Sequence, residues 1–278
     1  MLERIAILRI NNLSEISIKI INVHQGEIRV VIGTSGRFNE YFYSGKNHYI
    51  TALKNENTLC LCQLNEDDQL IPIICDLSKD DYLGYKCTVI VHPRISGVIY
   101  VNLISCDNQT KTHISFDNGK SFQPLELEQS TFKCPITHCW IVLDLICNHD
   151  LNQLHFKEMS IVLFKGTYHR YGSTTRNFFV SFNDGKSWKI LDSRIDDIVI
   201  FNEGRLMFGQ ERKNAIIWYS YDMGDTWFNG NNGADCFIGG FEIEYTNYNL
   251  IGALNYKKQT DNYTYVLYNF SKETSRFI

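Results

Sequence analysis

Three stretches of this chain repeat one eight-residue pattern: SFDNGKSF from Ser115, SFNDGKSW from Ser181 and SYDMGDTW from Ser220. The shared form is S-x-[DN]-x-G-x-[ST]-[WF]. Self-similarity of this kind marks a supersecondary unit that buries its faces by stacking on copies of itself. From Ser181 to Ser220 is 39 residues. After the strand Arg176–Phe182 that leads into the second repeat, that interval reads as four strands, Ser187–Leu191, Asp196–Phe201, Arg205–Gln210 and Ala215–Tyr221, with a tight turn at Asn202-Glu203-Gly204. Four strands in about 40 residues is the size of one propeller blade.

Strand signals run through the rest of the chain. Ile16, Ile18 and Ile20 alternate with polar neighbours, and EIRVVIG, GVIYVNLI, MSIVLF, NFFVSF, DIVIF, RLMFG and AIIWYSY are short apolar runs bounded by turn residues. A period of two over four to eight residues indicates strand rather than helix. The expected fold is therefore all-β, a β-propeller. Between Ser115 and Ser181 lie 66 residues, enough for one blade and an insertion over about 128–156 that holds Cys134, Cys139 and Cys147. Two further blades fit before Ser115 and one after Trp227, so the chain is either a small closed propeller of about five or six blades or part of a larger one.

Every position of the repeat has a structural role. Gly119, Gly185 and Gly224 supply the positive φ of a tight hairpin turn. Asp117, Asn183 and Asp222 accept backbone N–H bonds across that turn, and the following Ser121, Ser187 or Thr226 adds another. Phe122, Trp188 and Trp227 are placed to pack between sheets. A calcium loop of the EF-hand type needs several carboxylates and a distal Glu, which the repeats lack. The repeat thus reads as a hairpin staple that contributes no catalytic, cofactor or metal residue.

The formal net charge is −4, and no run of Lys and Arg marks a nucleic-acid or anionic-membrane surface. No stretch approaches the roughly 20 apolar residues that span a bilayer, and Met1–Ile20 has no secretory-signal pattern. Against a cytosolic reading stand nine cysteines, an odd number, and four N-x-[ST] sequons at Asn12, Asn108, Asn262 and Asn269. The cysteines show no zinc-ligand spacing.

The repeat resembles the Asp-box, or bacterial neuraminidase repeat, found in sialidases and in non-enzymatic propellers. A sialidase reading would need an arginine cluster, a Tyr–Glu nucleophile pair and an acid/base Asp. Here Arg37, Arg94, Arg170 and Arg205 are scattered, and no R-I-P stretch precedes the first repeat. A closer resemblance covers Gly97 to Trp227. There GVIYVNLISCDNQTKTHISFDNGKSF, the pair Cys134 and Cys139 leading into CWIVLDLI, then SIVLFKGTY, VSFNDGKSWKIL, FNEGRLMFG and YSYDMGDTW follow in the order seen in the sortilin family, receptors with a vacuolar-protein-sorting-ten domain.

That resemblance implies a disulfide between Cys134 and Cys139 and, over 1–278, the C-terminal part of a ten-bladed propeller. It implies a non-catalytic sorting receptor that takes peptide or protein cargo between Golgi and endosome, with the lumen as its compartment. The chain departs from the family in having room for fewer blades and in lacking the cysteine-rich module and membrane anchor, and no ligand residue carries over. No cofactor, nucleic acid or direct membrane contact is expected. The alternatives are a divergent sialidase-type glycoside hydrolase and a cytosolic scaffold propeller.

Overall fold

The computed structural model describes residues 4–10, 16–22, 28–31, 38–44, 47–54, 58–65, 69–78, 86–128, 138–146, 155–156, 160–201, 204–211, 216–230, 236–242, 250–257 and 260–269. Strands dominate these residues, as the period-two pattern requires. The first sheet has three strands, β1 (Arg4–Ile10), β2 (Ile16–Asn22) and β3 (Ile28–Val31). A four-stranded sheet follows, made of β4 (Phe38–Ser44), β5 (Asn47–Leu53), β6 (Leu59–Leu64) and β7 (Leu70–Ile74). The next contains β8 (Val89–Val91), β9 (Ile99–Ile104), β10 (Thr110–Ser115) and β11 (Gln123–Pro124).

The fourth sheet is β12 (Cys139–Leu143), β13 (Val162–Arg170), β14 (Ser173–Ser181) and β15 (Lys189–Ile190). The fifth is β16 (Ile195–Phe201), β17 (Leu206–Glu211), β18 (Ile217–Ser220) and β19 (Phe228–Gly230). The last has three strands, β20 (Cys236–Glu242), β21 (Leu250–Lys257) and β22 (Asn262–Asn269). In every sheet the strand order follows the chain order. Such four-stranded antiparallel meanders are propeller blades, and each repeat joins the third strand of its sheet to the fourth.

Chain contacts divide the molecule into two compact units. One comprises Met1–Glu126, Cys134–Met159 and Thr167–Ser173; the other comprises Leu127–Lys133, Ser160–Gly166 and Thr174–Ile278. The first is centred on Tyr49, Leu59, Leu61, Leu77, Val89, Val91, Ile99 and Val101, drawn mainly from β5, β6, β8 and β9. The second is centred on Ile161, just before β13, and residues of β13 to β17, among them Leu163, Val180, Ile195, Ile200 and Met207. Within β14, Phe178, Phe179 and Val180 are all buried, so the second half of this strand is covered on both faces. Its sequence accordingly reads as an unbroken apolar run rather than an alternation.

Part of the stretch expected as an insertion belongs to the sheets. Cys139–Leu143 is β12, with Cys139, Ile141 and Leu143 buried and Trp140 and Val142 half-exposed. Leu127 forms a parallel bridge with Trp188, and the Glu128 N–H donates to the Trp188 carbonyl at 2.8 Å. This covers the backbone just before β15, which would otherwise be an open sheet edge. Further along, Phe156 is fully buried, 4.3 Å from the His92 ring, and the Arg94 guanidinium donates to its carbonyl. These contacts are tertiary and leave no periodic trace, which is why the stretch looked like an insertion.

Cys60 and Cys75 form a disulfide that spacing alone did not reveal. Leu61 pairs with Ile74 across β6 and β7, so Cys60 and Cys75 are the next opposed positions of that ladder. Cys87 and Cys139 are each disulfide-bonded as well, whereas Cys62 and Cys106 are free. Cys134, the partner implied for Cys139, and Cys147 lie outside the described residues.

Trp188 is fully buried, with Phe164 of β13 6.1 Å away and its indole N–H donating to the Gly185 carbonyl at 3.0 Å. Trp188→Ala should destabilise the chain by about 3–5 kcal/mol. Urea unfolding of the two proteins side by side measures this, and an unchanged midpoint would remove Trp188 from the set of anchors.

Candidate functional site

The three repeats take one geometry. In the first, Ser115 Oγ donates to Asp117 Oδ1 at 2.9 Å and accepts the N–H groups of Asp117 at 3.3 Å and Gly119 at 2.8 Å. Asp117 in turn accepts the Ser121 N–H at 2.9 Å and the Ser121 hydroxyl at 2.6 Å. The second repeat reproduces this through Ser181, Asn183 and Gly185, and the third through Ser220, Asp222 and Gly224. The first serine of each repeat is buried. Reading the sequence assigned roles to the acid, glycine and aromatic but missed that the first serine is the hub.

It also missed the residue before each glycine. Asn118 (φ 61), Asp184 (φ 62) and Met223 (φ 57) are left-handed, as are Gly119 (φ 84), Gly185 (φ 88) and Gly224 (φ 83). Two successive positive-φ residues define the type I′ hairpin turn, whose preferred sequences are Asn-Gly and Asp-Gly. The first two repeats obey that preference. Met223 does not, and its Cβ pays the left-handed penalty.

One substitution redirects a hydrogen bond. Asp117 can only accept, so the Ser121 hydroxyl points at it. Asn183 instead donates through Nδ2 to Ser187 Oγ at 2.9 Å, leaving the Ser187 hydroxyl to donate to Glu128 Oε1 at 3.1 Å. Bonds from Ser121 and its neighbours hold the Asp117 carboxyl down to about 2. Burial works against the charge of Asp222, yet bonds from Thr226 and Ser220 keep its pKa below the usual carboxylate range. The first serine and the acid or amide of each staple are therefore engaged within the turn itself.

The exposed chemistry lies elsewhere, on the β12–β13 ladder of the first unit. The Tyr171 N–H donates to the His138 carbonyl at 3.0 Å, setting these two residues opposite each other. Two positions along, Trp140 faces His169. Both pairs stack: Trp140 on His169 at 4.6 Å and 5°, and His138 on Tyr171 at 5.5 Å and 25°. Lys111 of β10 holds its ammonium 5.2 Å from the Trp140 ring centre and pairs with Asp107 at 3.3 Å. Burial holds the pKa of His169 below its usual value, so its ring is neutral at pH 7. Tyr171 is 63% exposed at a hairpin tip, with φ 45.

Of the arginines weighed as a carboxylate clamp, Arg94 is committed to Phe156 and Arg37 lies outside the described residues. The neighbouring His92 is fully buried; its Nδ1 accepts the N–H groups of Arg94 at 3.1 Å and Ile95 at 2.9 Å. Burial and then the Arg94 charge push its pKa down to about 4, so it is a neutral turn-former at pH 7. Among the sequons, Asn108 and Asn262 are exposed, Asn269 ends β22, and Asn12 lies outside the described residues. Among the described residues no helix is long and apolar enough to cross a membrane, and no group of three His, Cys, Asp or Glu is placed to hold a metal ion.

No protein-family model and no curated protein matches the sequence. Solved structures with a similar course include TolB from Acinetobacter baumannii, at 9% identity and TM-score 0.37, over 91% of this chain and 61% of TolB. The GH74 enzyme of Niastella koreensis matches at 11% identity and TM-score 0.34, over 80% of this chain and 34% of the enzyme. The GH74 xyloglucanase of Xanthomonas campestris matches at 9% identity and TM-score 0.37, over 94% and 45% respectively. The chain thus spans only a third to three-fifths of the length of these proteins.

Ser181→Ala leaves the bonds at the Asn183 N–H and the buried Gly185 N–H unmade and should cost about 1–3 kcal/mol. Met223→Asn relieves the left-handed penalty and should stabilise by up to about 1 kcal/mol. Both are read from chemical unfolding midpoints; a neutral Ser181→Ala would show that the serine is not the hub. The folded pKa of Asp117 is below its unfolded value, so its contribution is complete above the unfolded value and lost as pH falls from there through about 2. Asp117→Asn should flatten the stability profile across that window, and a profile identical to that of the parent chain would contradict the role given to Asp117.

Proposed function

We propose that this chain is a non-catalytic binding propeller of the sortilin type, taking a peptide or protein ligand in an oxidising, luminal compartment. The observation that carries this reading is the ordered run from Gly97 to Trp227. Within it the Asp-box hairpins alternate with the strands the resemblance calls for, and Cys139 is disulfide-bonded. The bond between Cys60 and Cys75 and the bonded state of Cys87 support the same compartment, because disulfides persist where thiols are not held reduced. Exposed Asn108 and Asn262 are available to a glycosylating enzyme there. Recognition in this reading uses strand and loop surfaces, with no bond made or broken. Carriage of cargo between Golgi and endosome follows from the resemblance and belongs to the same proposal.

Differential alkylation with mass spectrometry, on protein secreted from eukaryotic cells, tests the compartment. Cys62 and Cys106 should react once the chain is unfolded, whereas Cys60, Cys75, Cys87 and Cys139 should react only after reduction. Reduced thiols at all four positions would favour a cytosolic scaffold instead. The same preparation should leave a sialoside reporter intact; turnover abolished by arginine and tyrosine substitutions would replace the receptor with a hydrolase.

A further inference from the structure

We propose that the two ring stacks of the β12–β13 ladder, Trp140 on His169 and His138 on Tyr171, form a binding site for an uncharged saccharide. Cross-strand aromatic pairs stabilise many sheets, so the stacks alone would not require a ligand. Tyr171 supplies the distinguishing observation. It is the first of two left-handed residues, Tyr171 (φ 45) and Gly172 (φ 80), between β13 and β14. Asn or Gly would occupy that position at lower cost, and a bulky residue with positive φ is an outlier that points to function. Here the strain holds a ring that is 63% exposed in place against His138 rather than in the core.

The ligand class follows from what the surface offers. Ring faces attract C–H groups and cations. The Lys111 ammonium already lies 5.2 Å from the centre of the Trp140 ring, which repels a cationic ligand. Asp107 pairs with Lys111 at 3.3 Å, so this cation is balanced and does not itself draw an anion. What remains is exposed aromatic surface rimmed by groups that both donate and accept: the Tyr171 hydroxyl and the neutral His169 imidazole. Sugars present apolar C–H faces edged by hydroxyls that donate and accept in the same way. The site is independent of the sorting role proposed above, and either can fail without the other.

The test is isothermal titration of the full chain with cellotetraose, maltotetraose and mannotetraose, and with a heparin-derived tetrasaccharide as the charged comparison. At least one neutral sugar should bind saturably and more tightly than the heparin fragment. Tyr171→Asn, which suits the left-handed turn, should weaken that binding about tenfold while leaving the melting temperature unchanged or raised. Trp140→Ala should weaken it further. Failure of all three neutral sugars to bind, tighter binding of the heparin fragment, or an unaltered affinity in Tyr171→Asn would each overturn the proposal.

Discussion

The hydrogen bonds from a buried serine hydroxyl to the turn that follows it hold the outermost hairpin of each Asp-box sheet. Those hairpins have little else. Between β10 and β11 only His113–Pro124 and Ile114–Gln123 are paired, and between β14 and β15 only Phe179–Ile190 and Val180–Lys189. A two-pair ladder cannot order a hairpin by itself, because the entropy of fixing its residues exceeds what so few bonds return. Ser115 and Ser181 make up the difference by converting each turn into a closed hydrogen-bonded loop, and Ser220 does the same for the three-pair β18–β19 hairpin. The aromatic that follows then seals the hairpin against a sheet, most completely at Trp188.

Because the staple is self-contained, its variable positions are free to act outside it. The exchange of Asp117 for Asn183 reverses a donor and acceptor and sends the Ser187 hydroxyl to Glu128. Lys189, just beyond the second repeat, donates to the Met223 carbonyl at 3.3 Å and to Asp225 at 2.7 Å, bracing the turn of the third. In the first repeat Asn118 Oδ1 accepts from Asn47 Nδ2 and the Tyr49 hydroxyl, both at 3.1 Å, which ties the β4–β5 hairpin to the staple. One motif therefore serves as a turn lock within its own sheet and as a docking post for the preceding one.

How far the molecule could be read from its residues depended on the range of the forces involved. The blades were legible because alternation along a strand and Gly at a tight turn are local demands, visible in SFNDGKSW without any neighbour. The left-handed Asn118 and Asp184 belonged to the same local chemistry and could have been found from the Asn-Gly and Asp-Gly steps. Trp140, His169, His138 and Tyr171 were not singled out. They lie in separate segments, and only the register of β12 against β13 turns four scattered rings into two stacks.

By itself, then, the sequence determined an all-β chain of blade-sized repeats with a stapled hairpin in three of them, since each of those features is set by residues within one turn of chain. Tertiary structure decided the rest. It opposed Cys60 to Cys75, made Cys139–Leu143 a sheet strand, buried Phe156 against His92 and gathered the exposed rings around Trp140. Those outcomes depend on which distant strands lie side by side, and pairing at long sequence separation is fixed only when the sheets pack.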